Sequence, residues 1–140
     1  MPNVHFEFYG KYLKMESESF NNFIKSCSNI QRVVISNSTI NVDGELDFGK
    51  DITYQTQYLS FNCTSFVVKS QGYFNKTKDC IIKMLKAIKQ SSLSNSLKQI
   101  DMYSCWDMRE LKNIFKNEVE LKHIQVLNRG ENPYQYEKVY

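Results

Sequence analysis

The chain has 140 residues, 41% of them hydrophobic and 24% charged, with a net charge of +3. This composition excludes an intrinsically disordered chain and fits one domain with a core of its own. The small charge does not argue for a nucleic-acid partner. No apolar run approaches the ~18 residues that cross a bilayer, so no transmembrane segment is expected.

Taken in chain order, residues 4–9 alternate, with Val4, Phe6 and Phe8 on one side and His5, Glu7 and Tyr9 on the other. That is the pattern of a half-buried strand, and Gly10 reads as the turn after it. Phe20, Phe23, Ile24 and Cys27 then fall at i, i+3, i+4 and i+7, one face of a helix. The next stretch, Ile30-Gln-Arg-Val33-Val-Ile35-Ser-Asn-Ser38, fits L-x-x-L-x-L-x-x-N, with Ser38 in the closing place. Residues 41–51 hold two glycines and no helical face. They are expected to form a loop or 3₁₀-like turn seated by Leu46 and Phe48.

A further copy runs from Thr56 through Leu59 and Phe61 to Thr64, with Thr56 in a place that the pattern gives to an aliphatic residue. Val33 to Leu59, Ile35 to Phe61, Ser38 to Thr64 and Ile40 to Phe66 are each 26 residues apart. The segment QGYFNKT reads as a turn. Cys80, Ile81, Met84, Leu85 and Ile88 make the apolar face of a helix from about residue 77 to 89, its remainder decorated by lysines. Leu97, Ile100, Met102 and Cys105 repeat the motif in full. A capping box at Asp107–Glu110 then opens a short helix with Met108, Leu111, Ile114 and Phe115 inward. Leu121, Ile124 and Val126 form the last copy.

Five strand units are thus expected near Phe6, Val33, Leu59, Ile100 and Ile124, at intervals of 27, 26, 41 and 24 residues. One such unit cannot cover its own apolar face, and parallel stacking of successive units makes a continuous core. The expected fold is therefore α/β: a short leucine-rich-repeat-like solenoid with parallel strands on the concave side and helices or irregular turns on the convex side. Residues 1–127 form its single domain and residues 128–140 a tail. The alternative fold is an α/β layer with helices on both faces of a parallel sheet.

On SLKQIDMYSCWDMRELKNIF followed by ELKHIQVLN, the chain resembles the cysteine-containing leucine-rich repeat proteins, a group that includes many F-box substrate adaptors. A short chain ending soon after its last repeat is also similar to the small mitochondrial members, the ATP synthase factor B (subunit s) family and its relatives in complex I assembly. The resemblance implies a protein-interaction surface and, in its narrower form, an accessory or assembly role in an inner-membrane energy complex in the mitochondrion. Without that narrower resemblance, the expected location is the cytoplasm.

In such an array the residues between the core positions line one face. Tyrosine and arginine combine area with hydrogen bonding and are favoured at hot spots. The expected partner contacts are Tyr9, Arg32, Tyr58, Asp101, Tyr103 and His123, with Tyr134 and Tyr136 from the tail. His5 and His123 fall at opposite ends of the array, too far apart to share a site.

Cys27, Cys63, Cys80 and Cys105 show no C-x-x-C pairing, and the first residues carry no apolar signal segment, so reduced, buried, structural thiols are expected and no zinc site. The triplets at Asn37, Asn62 and Asn75 read as chance in an Asn- and Ser-rich sequence. No acid, base and nucleophile come together. No enzyme activity, cofactor, metal or small-molecule substrate is expected, and the expected partners are other protein subunits. The reading of another class is an anion- or nucleic-acid-binding module built on the lysines of the 77–89 helix.

Overall fold

A computed structural model describes residues 7–70, 73–75, 78–103, 112–114, 116, 119–121, 123–129 and 136–138. Expectations on Val4, His5, Phe6, Cys105, the capping box, Met108, Leu111, Phe115 and Tyr134 lie outside these residues. Strands β1 (Glu7–Lys11), β3 (Arg32–Ser36), β5 (Tyr58–Asn62), β8 (Gln99–Tyr103) and β9 (Gln125–Arg129) pair in parallel and in chain order. Strand β10 (Tyr136–Lys138) closes the sheet antiparallel on β9. The fold is α/β, with most strands parallel.

The central register follows the sequence spacing. Val33 pairs with Leu59, and Leu59 with Ile100. Both end strands slip by two residues from expectation: Val33 meets Phe8 and not Phe6, and Ile100 meets Val126 and not Ile124. A slip of two keeps every side chain on its own face, so apolar alternation cannot distinguish the two registers. The chain's exits from the strands decide it. β1 runs through Gly10, and the turn comes at Tyr12, whose N–H donates to the Ser36 carbonyl at 3.1 Å.

That turn recurs. Tyr12, Asn37 and Cys63 follow β1, β3 and β5, and all adopt left-handed φ values of 56°, 50° and 49°. Asn37 N–H donates to the Asn62 carbonyl at 2.8 Å, and Cys63 N–H to that of Tyr103 at 2.7 Å. The polar closing residue comes next. The Ser38 hydroxyl accepts from Leu13 N–H (3.0 Å) and donates to the Ser36 carbonyl (2.8 Å), and the Thr64 hydroxyl lies 3.2 Å from the Ile35 and Asn62 carbonyls. Both residues are buried, so these bonds satisfy main-chain groups that would otherwise be stranded at the corner.

Beyond each corner the chain enters a second sheet, where only helices or irregular turns were expected. Strands β2 (Lys14–Met15), β4 (Thr39–Asn41) and β6 (Ser65–Ser70) pair in parallel, with Met15, Ile40 and Phe66 in one row. Strand β7 (Tyr73–Asn75), within the stretch read as a turn, folds back antiparallel on β6. The left-handed corner is the reason for the second sheet. It redirects an extended chain without ending its extended conformation, and neighbouring units then continue to pair.

Helix α1 (Ser17–Ser26) places Phe20 and Ile24 in the core, and Cys27 just past its end is also buried. The Phe20 ring centre lies 5.5 Å from Phe48, 6.5 Å from Phe61 and 6.4 Å from Phe66, while Phe61 and Phe66 meet edge to face at 4.9 Å. Helix, loop and both sheets therefore meet on one aromatic cluster. Burial of each ring contributes about 2–3 kcal/mol. The loop after β4 carries Phe48 as expected, although Asn41 still belongs to the strand. Asn21 of α1 holds this loop by donating to the Glu45 carbonyl (2.8 Å) and accepting from Asp47 N–H (3.0 Å).

Helix α2 (Lys78–Gln90) buries Cys80, Ile81, Met84, Leu85 and Ile88, the face read from their spacing. Thr56 also gains a reason: it is buried, and its hydroxyl donates to the Cys27 carbonyl past the end of α1 at 3.2 Å.

Candidate functional site

Alternation along the parallel strands gives the six-stranded sheet two faces. Val33, Leu59, Ile100 and Val126 point into the core, so Arg32, Val34 and Ser36 and their register partners point outward. One outward row runs Glu7, Arg32, Tyr58, Gln99 and Gln125; the next runs Tyr9, Val34, Ser60, Asp101 and Leu127. A third begins Lys11, Ser36, Asn62 and Tyr103.

Register brings five expected contact residues, Tyr9, Arg32, Tyr58, Asp101 and Tyr103, onto adjoining rows, and neighbours hold the first four. The Tyr9 hydroxyl donates to Glu7 Oε2 at 2.7 Å, and Arg32 Nε lies 3.6 Å from Glu7 Oε1. The Arg32 guanidinium sits 4.5 Å from the Tyr58 ring centre, in cation–π range. The hydrogen bond to Glu7 is the main reason that the Tyr9 phenol titrates above its ordinary value; slight burial and the Glu7 charge add to this, and Arg32 opposes it. At the strand entries Gln31 Nε2 donates to Gln57 Oε1 at 3.0 Å, tying β3 to β5.

Asp101 sits in the middle row and is only 5% exposed. Its Oδ1 accepts from Gln99 Nε2 at 2.9 Å and its Oδ2 from the Ser60 hydroxyl at 3.2 Å. A carboxylate buried in a sheet face needs such donors. Asp101 therefore organises Ser60 and Gln99 beneath the surface. Val34 and Leu127, also buried, extend the same row to either side. Tyr103 is half-buried at the end of β8.

His123 departs from expectation. It lies outside the sheet, in an exposed turn with φ 65° ahead of β9, and Gln125 aligns with Gln99 in its stead. It opens onto a shallow cleft with Lys89, Asn95 and Glu120. Tyr136 opens β10, which pairs with the edge of the sheet. Glu7, Ser60 and Gln99, which hold the contact residues, are passed over by residue type. The register sets Glu7 against Arg32, 25 positions away, and Ser60 against Asp101, 41 away, while Gln99 reaches Asp101 along its own strand.

Cys27 and Cys80 are buried, and burial pushes the Cys27 thiol upward. Cys63 is free and exposed at its corner, against the expectation that the cysteines are buried. Among the described residues no three His, Cys, Asp or Glu side chains gather as a metal site, and no helix is long and apolar enough to cross a membrane. Of the lysines on α2, Lys83 bonds to the Val42 and Asp43 carbonyls, while Lys78, Lys86 and Lys89 stay exposed. No family model, curated protein or solved structure matches the chain.

Proposed function

We propose that the chain is a short leucine-rich-repeat-like solenoid of the cysteine-containing kind, acting as a non-enzymatic interaction subunit of a larger protein assembly. The outer face of its six-stranded sheet binds the partner. The observation that carries this reading is the linked set Tyr9, Glu7, Arg32 and Tyr58 beside the Ser60–Asp101–Gln99 cluster. Side chains already held in place lose less conformational entropy on binding, and aromatic and arginine groups supply most of the energy in protein interfaces.

Chain order within the sheet and the recurring left-handed corner support the solenoid reading. Use of Lys83 to hold the loop after β4 favours the sheet face over α2 as the binding surface. The test is affinity capture from the cells of origin, comparing the natural chain with Arg32→Glu plus Tyr103→Ala. The expected result is loss of the co-purifying proteins while circular dichroism shows an unchanged fold. Equal retention by the folded double variant would remove the reading.

A further inference from the structure

The six-stranded sheet ends differently on its two sides. At one end β10 closes it antiparallel; at the other, among the described residues, no strand lies on the open side of β1. The exposed large hydrophobic side chains of the described residues are Phe8, Tyr9 and Tyr12, at 38%, 59% and 77%, all on β1 or its corner. Phe8 meets Phe23 edge to face at 5.5 Å, and half-buried Leu13 lies over Gly10. An apolar seam along an open sheet edge is a template for a further strand.

The backbone dictates how that strand pairs. In a parallel ladder the N–H and C=O of one residue point to one neighbour, and those of the next residue point to the other side. Tyr12 N–H donates to Ser36 of β3, so Phe8, Gly10 and Tyr12 direct their main-chain groups at β3. Glu7, Tyr9 and Lys11 direct theirs at the open side.

We infer that β1 pairs antiparallel with β1 of a second copy of this chain, Tyr9 opposite Tyr9, joining two sheets into one. This register lets every outward-directed residue of Glu7–Lys11 exchange both main-chain hydrogen bonds with its opposite. Glu7 and Lys11 stand at equal distance from Tyr9 on the outer face and carry opposite charges, so the two-fold axis sets Glu7 beside Lys11 at both ends. On the inner face Phe8 stands opposite Gly10 of the second copy, over which that copy's Leu13 lies, so the ring packs on Leu13. The segment is thus complementary to itself when reversed, which is what a two-fold interface requires. The inference does not rest on the proposed partner surface.

Sedimentation equilibrium tests it. The expected result for the natural chain is a concentration-dependent monomer–dimer equilibrium. Lys11→Glu sets Glu against Glu, and Glu7→Lys sets Lys against Lys. Each variant alone weakens the dimer by about tenfold or more, and an equimolar mixture of the two restores it, since every cross-pair is again opposite in charge. Tyr9→Pro removes an N–H that pairing with β3 does not use, and it abolishes the dimer without changing the circular dichroism. Lys11→Glu and Tyr9→Pro carry the test if Glu7→Lys disturbs its contact with Arg32. A natural chain that stays monomeric, charge variants that dimerise as before, or a mixture that remains monomeric would overturn the inference.

Discussion

Tyr54 illustrates what a single buried phenol does in this molecule. Its hydroxyl donates to the Phe48 carbonyl at 2.6 Å, and burial, with the nearby Asp47 and Cys27 adding to it, pushes its pKa up to about 12. The folded state thus holds this proton more tightly than the unfolded chain, whose tyrosines titrate near 10. The resulting stability is fully present below pH 10 and is lost as pH rises towards 12, a loss of about 2–3 kcal/mol. Urea unfolding across that window checks it. Tyr54→Phe, less stable at neutral pH for want of the hydrogen bond, shows a correspondingly shallower alkaline decline. An equal decline in both proteins would contradict this assignment.

The corners make a second prediction at the same scale. A left-handed φ brings Cβ against the following carbonyl, which costs about 1–2 kcal/mol for most residues and less for asparagine. Asn37 occupies the corner equivalent to Cys63. Cys63 already bears this cost, so Cys63→Asn is expected to be slightly stabilising, and Cys63→Val, whose branched Cβ crowds the backbone further, to lose about 1 kcal/mol in thermal unfolding. Equal stability of the two variants would show that the corner geometry is not needed.

Among the elements, α1 is tied to the rest through Phe20, which touches Phe48 of the loop, Phe61 of β5 and Phe66 of β6. Phe20→Ala leaves a cavity where several elements meet, and a loss of about 3–5 kcal/mol is expected. In urea this appears as a lower midpoint with an unchanged slope. A loss under about 1 kcal/mol would mean that the cluster collapses to fill the space. Both helices and the central strands were legible in the sequence, because each runs long enough to show its period: Phe20, Phe23 and Ile24 in α1, Cys80 to Ile88 in α2, Val33 and Ile35 in β3. The second sheet was not, because β2 and β4 span two and three residues, too few for alternation to appear. Only the 26-residue echo of Ile40 in Phe66 hinted at it. The slip at β9 was illegible for a different reason. Ile124 and Val126 are both buried, and alternation allows either to face Ile100.

For the whole molecule, the outer face depends on register more than on residue type. Tyr9, Arg32 and Tyr58 were legible as contact candidates, while Glu7, which anchors Tyr9 and Arg32, and the buried pairing of Asp101 with Ser60 required knowing which residues lie side by side. The same dependence places His123 ahead of β9, since a shift of two residues took it out of the sheet. A tied, aromatic and arginine-bearing face on a rigid parallel sheet is what the proposed interaction role asks of the fold, and the exposed lysines of α2 offer the competing surface. Hydroxyl-radical footprinting of the chain, alone and in its purified native assembly, compares the two directly. The account predicts that Tyr9, Tyr58 and Tyr103 lose reactivity in the assembly while α2 stays as reactive as before. Protection confined to α2, with those tyrosines unchanged, would contradict it.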